Sequence, residues 1–295
     1  MTKRFTRLDM AVLLFAAAAA AFIIYRLFFA LEYNWNWSVI PAYMFRFDQE
    51  TGSWQMNMLM QGLMTTIKLS IWGTLFAAVF GMWMGLMRTS PRLFNRLVGT
   101  SYVEIIRNLP PLVLVFIFYF FVSDQLMPLL GVEDFFRSLP PDRQRYISLL
   151  LTDSRQITPF LSGVITIGLF QGAYITEIVR GGIQSIPSGQ WEASAASGLG
   201  RWQQMRLVIL PQAARIMLPP LANEFINTIK YSSIVSIISI QELTFQGSQV
   251  MASTQVTLEI WITITLIYLV LCFSLSLLVG WLERKTASGG KAAAC

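Results

Sequence analysis

Apolar residues along this chain come in long blocks, separated by short basic clusters or by longer polar stretches. A helix needs about 20 apolar residues to cross the hydrocarbon layer of a bilayer. On that criterion about six spans are expected, near residues 10–30, 58–87, 102–122, 159–179, 211–240 and 257–282. The first follows a basic N-terminus and outlasts the apolar region of a usual signal peptide, so it reads as an uncleaved span with Arg26 reaching to the interface. The second carries Gly73, Ala77, Gly81 and Gly85 at four-residue spacing, a ladder of small residues that permits close helix packing. The fifth contains Pro219-Pro220, which predicts an interruption. The fold class is therefore all-α, a polytopic membrane helical bundle.

The polar stretches complete the organisation. Residues 32–55 hold Trp35, Trp37 and Trp54, and aromatic residues favour the membrane interface, so this segment reads as an external loop lying partly on the membrane. Residues 1–57 thus form an N-terminal helix and a Trp-rich loop. Residues 58–285 form the main transmembrane domain, with an external insert at 124–158 and a cytoplasmic loop at 181–210. The tail, 286–295, is small and polar and is expected to be disordered.

Composition agrees with a membrane bundle. The chain has 295 residues, of which 55% are hydrophobic and 13% charged, whereas soluble domains carry about 25% charged residues. The net charge of +6 sits in clusters beside the apolar blocks: Lys3, Arg4 and Arg7; Arg88, Arg92 and Arg96; Arg284 and Lys285. Such clusters mark cytoplasmic helix ends, which places both termini inside and argues against nucleic-acid binding. There is no histidine, and the two cysteines, Cys272 and Cys295, supply neither a zinc set nor a disulfide framework. No metal site and no catalytic residues are expected. Gly289-Gly290-Lys291 lacks the leading glycine and following Ser/Thr of a phosphate loop, so any ATP must be bound by another polypeptide.

The loop at 181–210 carries the sharpest pattern. Glu192-Ala193-Ser194-Ala195-Ala196 is followed by Gly198, Leu199 and Gly200, and further on by Leu210-Pro211. The small residues predict a short helix almost bare of side chains, with Glu192 in its first turn suiting the helix dipole and the glycines stopping it. This arrangement resembles the EAA loop of ABC importer permeases, with Ser194 in place of the second alanine and Val208 in the usual isoleucine position. The segment Glu104-Ile105-Ile106-Arg107-Asn108-Leu109-Pro110-Pro111 is similar to one found in permeases for polar amino acids, where glycine is commoner than Asn108. Gln171-Gly172-Ala173-Tyr174, Glu177 to Gly182, and Asn227-x-x-Lys230-x-Ser232-Ser233 resemble the same group. The resemblance covers most of residues 60–282. It implies the type I importer fold, a loop that docks on an ATPase subunit, a second permease subunit, identical or paralogous, and an extracytoplasmic solute-binding protein. The chain itself would hold no cofactor and do no bond chemistry, and would sit in a prokaryotic inner membrane, surrounded by lipid.

Two groups of residues are candidates for the solute path and its control. From Pro111 only about twelve apolar residues reach Val122, short of a span, so part of 104–110 is expected at membrane depth. Glu104 with Arg107 and Glu177 with Arg180 repeat a Glu-Ile-x-Arg pattern and could cross-bridge as a gate or a staple. Arg107, Asn108 and Gln171, with Asn223, Glu224, Asn227, Lys230, Ser232 and Ser233 of the fifth span, are candidates to line the path, since charged groups in membrane helices face a cavity or a partner. A Glu224–Lys230 pair that only fixes packing is the alternative. If the solute is an acidic amino acid, Lys230 and Arg107 could hold its carboxylates. An ion-coupled secondary transporter and a membrane-embedded enzyme are the rival readings; the first leaves the bare loop helix without a purpose, and the second lacks clustered ionisable groups.

Overall fold

A computed structural model describes residues 7–26 and 33–291, and the chain divides into two units, Met1–Val39 and Ile40–Cys295. In the first unit, helix α1 (Arg7–Tyr25) occupies most of the expected first span; residues 27–32 lie outside the described residues. Beyond it the rings of Trp35 and Trp37 stack with their centroids 5.7 Å apart.

The second unit opens with the end of α2 (Val39–Met44) and a hairpin of β1 (Phe45–Asp48) and β2 (Ser53–Met56). The Trp-rich segment is thus partly a hairpin, with Phe47 against Trp54 across the strands. Asn57 then starts α3 (Met58–Arg88): its side chain accepts from the Met58 N–H and donates to the Ala42 carbonyl.

The small-residue ladder of α3 packs against α9 (Ile157–Gln184). A Cβ at Gly81 would lie 2.8 Å from the Gly172 carbonyl oxygen, and one at Gly85 would lie 2.5 Å from Val179 Cγ1. Thr176 Oγ1 donates across the seam to the Gly81 carbonyl, 3.3 Å away. Only glycine permits this approach, and the contact is gained through packing rather than through apolar driving force.

Between these helices the chain makes a broken excursion. Helix α4 (Leu93–Asn108) buries Gly99, Val103 and Ile106 against the bundle, and α5 (Pro111–Phe121) follows after Leu109 and Pro110. Pro110-Pro111 separates the two because the first proline cannot continue the ladder, while the second suits the first helical position. Helical structure runs on from α5 through a π turn at Val122–Leu126 into α6 (Met127–Leu129), so one apolar segment spans Pro111–Leu129. By length and apolarity this segment is complete without 104–110, the added turns lying past Asp124. The insert continues as α7 (Val132–Ser138) and α8 (Pro141–Leu150), helical where a loop was expected.

After α9 come α10 (Ser188–Ala196), a single turn α11 (Arg201–Gln203), a π segment at Gln204–Ile209 and α12 (Leu210–Ser232). Pro219 and Pro220 do not interrupt α12. They withhold the N–H groups that would serve the carbonyls one turn back, on Arg215 and Ile216, and the rest of the ladder carries the helix through. A 3₁₀ stretch, Ser233–Ile238, leads to α13 (Leu243–Thr254) and α14 (Thr257–Lys291). Helix α14 runs through part of the stretch expected to be a disordered tail, and residues 292–295 lie outside the described residues.

Among the described residues four segments have the length and apolarity to cross a membrane: Met58–Arg88, Pro111–Leu129, Ser154–Gln184 and Thr257–Trp281. Helix α12, the expected fifth span, has 23 residues but carries polar groups along it. Leu266, Leu269, Phe273 and Leu277 of α14 are all exposed. Water would not tolerate a helix so exposed and so apolar; lipid does.

Candidate functional site

Three polar features interrupt the apolar bundle. The first is helix α10. Of its nine residues only Ser194 is buried; Glu192, Ala193, Ala195 and Ala196 are exposed, and Glu192 makes no ion pair among the described residues. The helix ends in a turn that requires glycine: Gly198 has φ +78°, its N–H donates to the Ala195 carbonyl, and the Leu199 N–H donates to that of Ser194. Those are the two bonds of a Schellman cap. The Gly200 N–H donates to Gln203 Oε1 and opens the next turn. Beneath the exposed face lies an apolar cluster in which Ile183 and Ile186 meet Ile209, Ala213 and Met217, with Trp191 packed on it. Gln212 donates to Gln190 Oε1 at 3.2 Å and ties α12 to α10. The bare helix is therefore seated on the Gln204–Ile209 segment that leads into α12.

The second feature is a charged cluster where α3, α4 and α9 meet. The expected cross-bridge between Glu104–Arg107 and Glu177–Arg180 forms only in part. Arg180 pairs with Glu177 at 2.8 Å, but the link to α4 runs through Arg88, which contacts Glu177 and lies 3.6 Å from Glu104. Arg107 turns away, its guanidinium 5.7 Å from the centre of the Tyr174 ring. Asn108 folds back onto its own helix, donating to the Glu104 carbonyl and carboxylate. The sequence shows Arg88 as one member of a basic cluster, and nothing local indicates that it would join two distant carboxylates.

The third feature lies between α9 and α12. Gln171 Nε2 donates to Glu224 Oε1 at 2.9 Å and to Thr228 Oγ1 at 3.1 Å, and Asn227 Nδ2 donates to Glu224 Oε2. Gln171 is fully buried, and its Oε1 has no hydrogen bond. Burial of a carboxylate is costly unless amides and hydroxyls surround it, as they do here. The alternative Glu224–Lys230 pair does not form: Lys230 is exposed, and no described carboxylate lies within ion-pairing distance of it. Asn223 is also exposed, whereas Ser232 and Ser233 spend their hydroxyls on the carbonyls of Ile229 and Lys230. Of the candidate path residues, then, Gln171, Glu224 and Asn227 come together, joined by Thr228, which the sequence did not single out. An aromatic group stands beside them, with Phe170 5.5 Å from Tyr174 and 5.4 Å from Tyr231.

A helical bundle that exposes apolar side chains outward, gathers amides and a carboxylate inward and projects one bare helix from its end defines an integral membrane permease. Residues 77–288 match the family of binding-protein-dependent transport system inner membrane components. The chain belongs to that family, the permease subunits of ABC importers. It is 34% identical to the glutamine transport system permease protein of Escherichia coli (strain K12) over 257 residues, 86% of this chain and 98% of the relative. It is 32% identical to the glutamate/aspartate import permease protein of the same organism, over 88% of this chain and 98% of that one. Among solved structures, an amino acid ABC transporter with histidines aligns at 32% identity with a TM-score of 0.61, covering 77% of this chain and 94% of that chain.

Proposed function

We propose that this permease subunit imports a polar amino acid, and that α10 carries the push of a separate ATPase subunit to the spans. The kinship with permeases for glutamine and for glutamate and aspartate supports the substrate class. The observation that carries the coupling role is the exposed alanine face of α10, closed by the positive-φ turn at Gly198 and seated on the Ile183–Ile209 cluster. A helix without long side chains can sit deep in a groove of a partner, and its seat on the Gln204–Ile209 segment passes a displacement on to α12. ATP is hydrolysed by the partner, and the chain supplies no catalytic group or cofactor. A second permease subunit completes the solute path, and an extracytoplasmic binding protein delivers the solute. In this reading Arg88, Arg92 and Arg96 mark the cytoplasmic face, both termini lie inside, and residues 130–158, beyond the end of the third span, are external. The α9–α12 amide cluster and the Arg107–Tyr174 pair line the path, and the Arg88–Glu104–Glu177–Arg180 cluster acts as a staple that keeps α3, α4 and α9 in register.

The test is transport-coupled ATP hydrolysis by the complex in vesicles. Ala196→Arg adds a long charged side chain at an exposed position, where the chain's own fold has room for it. Stimulation of hydrolysis by loaded binding protein is expected to fall at least tenfold while the permease stays folded in the membrane. Unchanged stimulation would remove α10 from the coupling path. Uptake that survives loss of the ATPase but collapses with an ionophore would instead favour ion-coupled transport.

A further inference from the structure

At the end of the bundle opposite the Arg88 cluster, the stretch after α8 roofs a cavity of about 320 Å³ between α3, the start of α9 and the start of α13. Small-molecule pockets begin at about this size. Two opposite charges line it. Lys68 of α3 donates to the Ser148 carbonyl at 3.1 Å, which leaves two of its three ammonium protons unused. Asp153, in the link between α8 and α9, makes no side-chain hydrogen bond. The two are near enough to attract one another, yet no ion pair joins them. A third wall residue, Gln246, is only 7% exposed, and its side-chain amide has no partner among the described residues.

An ammonium and a carboxylate that face one cavity without closing on each other form the mirror of a zwitterion. We propose that this cavity binds the α-carboxylate and α-ammonium of a free amino acid, the carboxylate on Lys68 and the ammonium on Asp153, with the Gln246 amide left for the side chain. This rests on the amino-acid import reading and adds to it a second station, separate from the Gln171–Glu224 cluster. The charged pair would select for the common backbone of amino acids rather than for one side chain. The insert has a purpose on this account: it supplies Ser148 and Asp153, and so it both roofs the cavity and contributes half of its charge.

The test uses the assembled complex in nanodiscs with Cys272→Ser and Cys295→Ser, and a reporter, Gln241→Cys, at the exposed rim of the cavity. The rate of maleimide labelling at the reporter reads occupancy directly. Labelling is expected to slow at least fivefold with at least one of L-glutamine, L-glutamate and L-arginine, and not with its N-acetyl form, which lacks the ammonium. Asp153→Asn should abolish the protection. Lys68→Met should abolish it too, whereas Lys68→Arg should keep it, which separates charge from a folding defect. Equal protection by the N-acetyl form, or no protection by any of the three amino acids, would overturn the site. ATP-driven uptake of the same three amino acids, measured separately, shows whether the import reading itself stands.

Discussion

The two ends of the bundle treat charge in opposite ways. At the α3–α4–α9 junction Arg88 and Arg180 share Glu177, and Arg88 also reaches Glu104, so cations and carboxylates close on one another. Beneath the insert, Lys68 and Asp153 face the same space and remain apart. Paired charges with little solvent hold helices in place, and taking one away leaves its partner stranded. Charges held apart contribute little to the fold and are available to something else. The contrast separates groups the protein uses to stay assembled from groups it keeps for a visitor.

The largest effect that would break this comparison is Arg88→Ala. The side chains of Arg88 and Glu177 are only 14% and 19% exposed, and Arg180 keeps the other Glu177 oxygen paired, so the variant should lose about 2 kcal/mol of stability, read as a lowered unfolding midpoint in detergent. The double variant Arg88→Met/Glu177→Met should recover little of that loss, because Arg180 is then left without its carboxylate. A smaller effect is expected at the other end. Lys68→Met removes one hydrogen bond to a backbone carbonyl and should cost about 1 kcal/mol. Smallest of all is Asp153→Asn, exposed and without a bond to lose, which should stay within about 0.5 kcal/mol of the parent. If Asp153→Asn proved as damaging as Arg88→Ala, the distinction between the two ends would be gone.

Much of the architecture was legible because a bilayer imposes a simple rule on length and apolarity. The second span was expected at 58–87 and is found at Met58–Arg88, and the glycine ladder within it faces a partner helix as its spacing implied. The short helix with small residues before Gly198 was also readable, since helix stop signals are local. What failed was less local. Asp124 looks like the end of the third apolar block, because a carboxylate is costly in a span, yet a π turn carries the helix past it. The break expected at Pro219-Pro220 is absent, since neighbouring turns hold the helix around two missing donors. In the candidate site the glutamates and Arg180 were recognised, but their partner was misassigned to Arg107. Which arginine reaches which carboxylate depends on how three helices cross, and no spacing along the chain encodes that. Nothing along the chain links Lys68 to Asp153 either: one lies in a span and the other in an insert that reads as a loop.

The close contact of α3 with α9 has a mechanical consequence. Two rods whose backbones meet at Gly81 and Gly172 cannot slide along each other without a side chain riding over the opposite carbonyl. They behave as one beam. A transporter that alternates between two openings needs a fixed chassis as well as moving parts, and this pair has the stiffness of a chassis. Bending costs less where backbone hydrogen bonds are missing, as at the Leu109–Pro110 break between α4 and α5 and at Pro219-Pro220 in α12. Motion in this protein is then to be measured as displacement of those segments against an α3–α9 frame that stays still.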